Sequence, residues 1–292
     1  MSKTKCYYII TENSSETRKG LKMVVKEEGK KVRVTFDSIT DFVSYLRRTK
    51  ETEKYRGKNR QSHRTDYEGK IFTGTESYEE AEDLFLNGWD EGTKQLAKKM
   101  SEVKNKIVEY KNKPCYSVAG YQACVPRYLQ GIPDSMIYTK KVKQKQKVID
   151  IVKDIGYNCA TKKEEIMEES VKVLRLVERL EKQGYRVNLY VAMVLDGQYR
   201  SEYSRITTSI KVKSSAQRLN LKQVAFPLVH PSMLRRIIFS FMEKCPYTYD
   251  YTQTYGRCTS DYTFRKSFVK QYCFPRVVEE KEITDIEKYY SE

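Results

Sequence analysis

The chain has 292 residues, 39% hydrophobic and 32% charged, and is long enough for one large core or two modest domains. Basic residues exceed acidic residues by 55 to 39, which gives a net charge of +16. Such a charge attracts phosphate polymers; the alternative is that the lysines are solvated and have no binding role. No apolar run approaches the roughly 20 residues that span a membrane, and the start does not resemble a signal peptide. We therefore expect a cytosolic protein that does not associate with a membrane.

Seven cysteines occur without a Cys-x-x-Cys pair, a pattern that indicates neither a disulfide framework nor a zinc knuckle. We expect reduced thiols. The sequence also contains no catalytic or nucleotide-binding motif at convincing spacing, so we expect no cofactor and favour a protein without catalytic activity.

Residues 1–46 predict a small α+β segment. Alternation over Lys31–Phe36 predicts a strand, and Ser38 is the expected N-cap of a helix from Ile39 to about Leu46. Residues 47–70 mix basic and polar side chains without periodicity, which predicts a flexible basic loop.

Residues 71–137 predict a mainly helical region that ends in an ordered loop rich in Gly and Pro. Ser77 and Glu80 form a capping box at the start of one helix, and Gly88 is expected to end it. The loop contains one predicted helical turn, Pro126–Leu129.

A basic linker is predicted over residues 138–147, and its side chains are the first candidates for contact with a nucleic-acid backbone. The candidate residues are Lys140, Lys141, Lys143, Lys145 and Lys147.

Residues 148–278 predict an α/β core domain. Two apolar strand patterns, Val148–Ile155 and Val187–Val194, flank an amphipathic helix from about Lys162 to Gln183. A strand, a crossover helix and a strand in so few residues indicate a parallel β-α-β unit. The alternating pattern from Ile206 to Val212 is expected to extend the same sheet. The predicted fold class is therefore α/β, or α+β overall, with this core preceded by a mainly helical part and followed by a helix and an irregular aromatic-rich region.

The loop after the first strand is the expected place for a polar site, because open α/β sheets bind ligands at the carboxyl ends of their strands. Asp154 and Asn158 are the candidate metal ligands. The alternative is a simple turn in which Asn158 and Thr161 satisfy backbone groups.

Two further groups are candidates for binding nucleic acid. Arg235 and Arg236 are expected to point away from the apolar face of a helix that begins near Pro231, where they would either bind phosphate or be solvated. A later region mixes tyrosines with basic residues, a composition that suits stacking on unpaired bases but also an irregular, half-buried β-region. Its candidate residues are Tyr249, Tyr251, Tyr255 and Arg257. Residues 279–292 form an acidic tail that is expected to contain a short helix.

Four blocks together resemble an uncharacterised family of tailed-phage and prophage proteins, over about residues 70–256. They are Gly74-Thr-Glu-Ser-Tyr-Glu-Glu-Ala81 with Asn87-Gly-Trp89, Val125-Pro-Arg-Tyr-Leu-Gln-Gly-Ile-Pro-Asp-Ser-Met136, the β-α-β unit, and Ala225-Phe-Pro-Leu-Val-His-Pro-Ser-Met-Leu-Arg-Arg236. The resemblance implies a phage origin and a location in the host cytoplasm, and it assigns no activity.

Residues 148–213 are also distantly similar to von Willebrand A-like domains. Asp154, Gly156 and Asn158 match the spacing of the Asp-x-Ser-x-Ser metal loop of those domains, although two of the three residue types differ.

We therefore expect a phage-encoded, non-catalytic accessory protein that binds nucleic acid or a nucleic-acid-associated complex. The alternative is a protein–protein module, either an assembly factor or an inhibitor of a host defence complex. A third hypothesis is a metal-dependent enzyme with its site at Asp154.

Overall fold

The computed structural model describes residues 3–9, 21–53, 55–56, 60–102, 115–138, 147–196, 205–248, 258–268 and 271–291. The chain divides into two compact units. The first, which we call the large unit, comprises Met1–Val103 and Val148–Glu292, and the second, the insert unit, is Lys104–Lys147.

The strands of the described residues form one sheet in each unit. They are β1 (Lys3–Ile9), β2 (Leu21–Glu28), β3 (Lys31–Phe36), β4 (Cys115–Ser117), β5 (Gln122–Ala123), β6 (Met136–Tyr138), β7 (Val148–Asp154), β8 (Arg186–Asp196), β9 (Arg205–Lys213) and β10 (Tyr272–Phe274). The large unit has the order β1-β2-β3-β9-β8-β7-β10, and the insert unit has the order β4-β6-β5.

The central pair of the large sheet confirms the predicted β-α-β unit. Strands β7 and β8 are parallel, with Val148 beside Arg186 and Asp154 beside Ala192. Strand β9 continues the sheet as an antiparallel neighbour of β8, also as predicted. The α/β fold class is therefore confirmed, and the sheet is mixed because β3 and β10 add parallel pairs while β1 and β2 add antiparallel ones.

The N-terminal strands belong to this same sheet. Strand β3 lies parallel to β9 and pairs with it from Lys31 beside Arg205 to Phe36 beside Ile210. The sequence predicts separate units for residues 1–46 and 148–278, whereas the structure joins them in one sheet, because a strand from a short segment cannot bury its apolar face alone. Pairing with a strand far along the chain leaves no local sequence signal.

Ten α-helices are described, together with a 3₁₀ turn, Gln61–His63, and a π-helical segment, Met233–Ile238, that leads directly into α8. The helices are α1 (Ile39–Arg48), α2 (Tyr67–Thr73), α3 (Tyr78–Asn87), α4 (Asp90–Glu102), α5 (Val125–Leu129), α6 (Lys163–Lys182), α7 (Leu221–Val229), α8 (Phe239–Lys244), α9 (Asp261–Ser267) and α10 (Glu280–Ser291).

Two predicted N-caps are confirmed. The Ser38 Oγ accepts from the backbone N–H of Asp41 at 3.0 Å, and the Ser77 Oγ accepts from that of Glu80 at 3.1 Å. The sequence predicts a flexible basic loop over residues 47–70. In the structure these residues contain the 3₁₀ turn and the start of α2. Glu243, which is fully buried, anchors this turn by accepting from the Ser62 N–H at 3.1 Å.

Side chains alternate between two apolar layers along the central strands. Ile151, Leu189 and Val191 belong to the main core, whereas Val152 and Tyr190 belong to a smaller cluster on the opposite face of the sheet. Helix α6 contributes its buried stripe to the main core, and α9 contributes Phe264 and Phe268 to the smaller cluster. This two-sided burial explains why β8 is apolar without interruption from Leu189 to Leu195.

None of the helices in the described residues is long and apolar enough to cross a membrane.

Candidate nucleic-acid interface

The positive charge of the chain is concentrated in the insert unit. Residues 104–147 contain ten Lys and Arg against two Asp and Glu, a net charge of +8, which is half of the +16 of the whole chain. These 44 residues are less than one sixth of the sequence. Of the two units, the insert unit therefore has the denser positive charge and, for its size, the stronger attraction for a polyanion.

A small antiparallel sheet gives the insert unit its framework. Tyr116 lies beside Ile137 in the β4–β6 pair, and Gln122 lies beside the same Ile137 in the β5–β6 pair. Gly120 is required where the chain turns back, because a Cβ there would lie 2.2 Å from the carbonyl oxygen of Ile137. The N–H of Tyr121 donates to this carbonyl at 3.0 Å and closes the turn.

The helical turn predicted at residues 126–129 is confirmed as α5, which places Pro126 in its first turn. Two hydrogen bonds hold α5 to the following loop: the Cys124 N–H donates to the Ser135 carbonyl at 2.7 Å, and the Ile132 N–H donates to the Arg127 carbonyl at 3.1 Å. The side chains carried by α5 therefore stand on an ordered backbone.

Three tyrosines of this framework are exposed to solvent. The exposed fractions are 43% for Tyr116, 70% for Tyr121 and 70% for Tyr128. Three aliphatic side chains of the same unit are also exposed, namely Val118, Val125 and Leu129. These six are half of the twelve exposed large hydrophobic side chains in the described part of the chain. This number of exposed apolar groups makes the insert unit a candidate interaction surface.

Arg127 is held over one of the three rings. Its guanidinium carbon lies 4.3 Å from the ring centroid of Tyr116, and its Nε donates to the carbonyl of Asp134 at 2.9 Å. A guanidinium that is fixed by a backbone carbonyl and an aromatic face loses little conformational entropy when it binds an anion or a base. Tyr116 and Arg127 thus form a preorganised aromatic and cationic pair.

Most of the predicted nucleic-acid-binding residues lie outside the described residues. This applies to Lys140, Lys141, Lys143 and Lys145 and to Tyr249, Tyr251, Tyr255 and Arg257. Lys147 is described, and its side chain is exposed at the end of the insert unit.

Arg235 and Arg236 are buried, so the prediction that they point into solvent is wrong. Arg236 donates to the Oγ1 and the carbonyl of Thr75 at 2.7 and 2.8 Å, and to the carbonyl of Ser62 at 3.2 Å. Arg235 donates to the carbonyl of Cys159 at 3.1 Å and lies over the ring of Phe72.

The physical reason is the π-helical segment that carries both arginines. All six of its residues are buried, so the segment is covered on every side and has no solvent-facing position for an arginine, and buried backbone carbonyls satisfy the guanidinium donors. Neither arginine belongs to the exposed basic surface.

The two candidate metal ligands have separate roles in the loop after β7. Asp154 is buried, and its Oδ1 accepts from the Gly156 N–H at 2.8 Å. Asn158 is exposed, and its Oδ1 accepts from the Ala160 N–H at 3.1 Å, as in the turn that the sequence offered as the alternative. Within the described ranges no group of three or more His, Cys, Asp or Glu side chains is placed to hold a metal ion.

Burial perturbs two ionisable groups at the end of β7. It raises the pKa of Asp154 to about 6 and lowers the pKa of its neighbour Lys153 to about 8. The Lys153 Nζ donates to the carbonyls of Pro275 and Arg276 at 2.7 and 3.0 Å, contacts that tie β7 to the segment after β10.

Tyr116, Tyr121, Arg127 and Tyr128 are not among the site residues predicted from the sequence. A signal is present, because tyrosines occur here among polar residues and an arginine, as they do at residues 247–274. The glycines and prolines of the stretch predict a loop, and a loop pattern does not show which of its side chains are exposed.

Comparison with known proteins identifies the family and no activity. No curated protein and no solved structure matches the chain significantly. A family model described as a domain of unknown function, DUF7192, matches residues 11–291. The match covers nearly the whole chain, including the insert unit and the strands on both sides of it. The chain therefore belongs to the DUF7192 family, whose function is unknown, as the resemblance to an uncharacterised family predicted.

Proposed function

We propose that the protein binds nucleic acid, either free or within a nucleic-acid-associated complex, through the insert unit. The observation that carries the proposal is the coincidence, in one 44-residue unit, of a net charge of +8 and three exposed tyrosines. Lysines supply a sequence-independent attraction for phosphates, and aromatic rings supply contacts with bases.

The lysine cluster at the end of the unit sets the expected dependence on salt. If Lys140, Lys141, Lys143, Lys145 and Lys147 neutralise about five phosphates, counterion release between 50 and 200 mM salt lowers the affinity by about 100-fold for a single strand and about 500-fold for a duplex. Neutralising four of them reduces the slope of log affinity against log salt by about 3.

Fluorescence anisotropy with labelled 20-nucleotide strands and a 20-base-pair duplex of mixed sequence tests the proposal. The variant carries Lys140→Gln, Lys141→Gln, Lys143→Gln and Lys145→Gln, and we expect weaker binding to every sequence. The matched control removes the same charge from exposed lysines of the large unit, with Lys26→Gln, Lys50→Gln, Lys94→Gln and Lys281→Gln. An equal loss in both variants, or no binding of the wild type at 50 mM salt, would overturn the proposal.

The same proposal includes a phage origin, a location in the host cytoplasm and a non-catalytic accessory role. The four sequence blocks that resemble tailed-phage and prophage proteins support the origin. The likeness of residues 148–213 to von Willebrand A-like domains is supported by the β-α-β unit and by the position of Asp154 at the end of β7.

A protein partner with an acidic surface is the second candidate. Val118, Val125 and Leu129 favour it, because exposed aliphatic groups gain more from a packed protein interface than from a phosphate backbone. Failure to bind nucleic acid at low salt is the outcome that favours this candidate.

A further inference from the structure

We infer that the insert unit binds single-stranded nucleic acid in preference to duplex, with unpaired bases stacked on Tyr116, Tyr121 and Tyr128. The inference rests on the proposed function and names the class of its ligand. Charge alone does not distinguish the two classes, because both carry a phosphate backbone. The exposed rings are what distinguish them.

An exposed tyrosine ring gains contact area only from a partner that offers a flat face. In a duplex the faces of the bases are covered by their neighbours, and only the base edges and the backbone are accessible. In a single strand each base can leave its neighbours and stack on an aromatic side chain, whatever its sequence. Tyr121 and Tyr128, each 70% exposed, therefore gain more from a single strand than from a duplex.

The placement of the rings also favours a flexible ligand. Tyr116 lies in β4 at one edge of the small sheet, Tyr121 lies in the turn before β5 at the other edge, and Tyr128 lies on α5. The three rings therefore stand on separate elements, and a ligand that contacts all of them must adapt to their placement. A single strand adapts more readily than a duplex, which has a persistence length of about 150 base pairs.

Basic residues accompany the tyrosines of the insert unit. Arg127 adds its flat guanidinium to the ring of Tyr116, and guanidinium planes stack on bases as aromatic rings do. Lysines flank the tyrosines on both sides in the sequence and supply positive charge for the phosphates of a bound strand. These lysines are Lys104, Lys106, Lys111 and Lys113 before the tyrosines, and Lys140, Lys141, Lys143, Lys145 and Lys147 after them.

The test compares a 20-nucleotide thymidine strand, a 20-nucleotide uridine strand and a 20-base-pair duplex by anisotropy at 100 mM salt. We expect the full-length protein to bind at least one single strand about 10-fold or more tightly than the duplex. Comparison of the thymidine strand with the uridine strand shows whether the protein prefers single-stranded DNA or single-stranded RNA.

The variant with Tyr121→Leu and Tyr128→Leu keeps apolar bulk and removes both rings. We expect it to lose about 100-fold in affinity for the single strand and to change little towards the duplex. The matched variant with Tyr121→Phe and Tyr128→Phe keeps the rings and is expected to keep the preference. Tyr67→Leu, at an exposed tyrosine of the large unit, is expected to have no effect.

A direct readout comes from Tyr128→Trp, because indole emission is quenched when a base stacks on the ring. The natural Trp89 is buried and gives a constant background. We expect quenching by the single strand and not by the duplex, even if the leucine variant fails to fold.

Equal affinity for strand and duplex, or a leucine variant that folds and keeps the preference, overturns the stacking inference. In that case the proposed function still stands if the lysine variant weakens binding. Absence of binding to all three ligands overturns the proposed function itself, so the two failures are distinguishable.

Discussion

Buried ionisable groups of the large unit differ in how well their surroundings satisfy them. Arg236 donates to the Thr75 hydroxyl and to two carbonyls, and its neighbour Ser62 is bound in turn by Glu243 and by the Nδ1 of His63 at 2.7 Å. Asp154 is also buried, and burial is the largest influence on its pKa. Hydrogen bonds offset the cost of burying the Arg236 guanidinium. Burial instead raises the pKa of Asp154, which stays protonated to a higher pH than an ordinary aspartate.

The raised pKa of Asp154 predicts a dependence of stability on pH. Between about pH 4 and pH 6 the folded protein holds a proton that the unfolded chain releases, so the contribution of this group falls as the pH rises. Asp154→Asn cannot ionise. We expect its advantage in free energy of unfolding over the wild type to grow from near zero at pH 4 to on the order of 2 kcal/mol at pH 7.5.

Urea unfolding at pH 4, 5, 6 and 7.5 measures this difference. The exposed Asp285→Asn provides a control for the loss of one surface carboxylate. A difference between Asp154→Asn and wild type that stays constant over the whole range would contradict the prediction.

The three-stranded sheet of the insert unit depends on one close approach between backbone segments. Strands β4, β5 and β6 contain two or three residues each, so the insert unit relies on its turns more than on strand pairing. Gly120 allows the turn to lie against the carbonyl of Ile137, where a side chain would collide with backbone. Because backbone atoms cannot rotate away as a side-chain end can, a substitution must displace the strand.

Gly120→Ala is therefore expected to loosen the insert unit without unfolding the large unit. The amide of Tyr121, which donates to the displaced carbonyl, should lose at least 10-fold in protection from hydrogen exchange, about 1.4 kcal/mol of local opening free energy. Exchange measured by mass spectrometry or NMR reads this amide and the strands of the large unit in one experiment.

Ala119→Ser changes the exposed neighbouring residue and should leave the protection intact. Unchanged protection of the Tyr121 amide in Gly120→Ala would contradict the prediction, because it would mean that the turn accommodates the Cβ with no loss of local stability.

At the scale of the whole molecule, distant parts of the chain complete one core. Strand β3 joins the sheet beside β9, and β10 joins it beside β7. The acidic tail forms the predicted helix, α10, which packs on α6 and buries Ile283 and Tyr290. Arg179 pairs with Glu287, and the Tyr185 hydroxyl donates to the Tyr290 carbonyl at 3.1 Å. The tail is therefore part of the core.

Deletion of residues 280–292 is expected to destabilise the large unit. Exposure of the surface covered by two buried apolar side chains costs on the order of 3 to 5 kcal/mol. Chemical denaturation of the truncated protein measures the loss.

A second variant separates packing from charge. Glu279→Gln, Glu280→Gln and Asp285→Asn remove exposed charges of the tail and keep the helix, and we expect a free energy of unfolding within about 0.5 kcal/mol of wild type. A truncated protein as stable as this charge variant would mean that α10 contributes little to the core.

Local sequence patterns predict an element correctly where the interactions that form it are also local. The period-two and period-3.6 patterns of residues 148–213 predicted β7, α6, β8 and β9, because the burial of one face imposes those periods on the sequence itself. Ser38 and Ser77 were predicted as caps for a similar reason, since a cap bonds to an amide only three residues away.

The sequence by itself therefore determined the β-α-β core, the N-caps Ser38 and Ser77 and the excess of positive charge, because each depends on residues that are neighbours in the chain. Tertiary structure alone decided that β3 pairs with β9, that Arg235 and Arg236 lie inside the core, and that the tyrosines of the insert unit are exposed. The pairing of a strand, the hydrogen bonding of a buried arginine and the burial of an aromatic ring all depend on segments that are distant in the sequence. Composition and local spacing do not predict those partners.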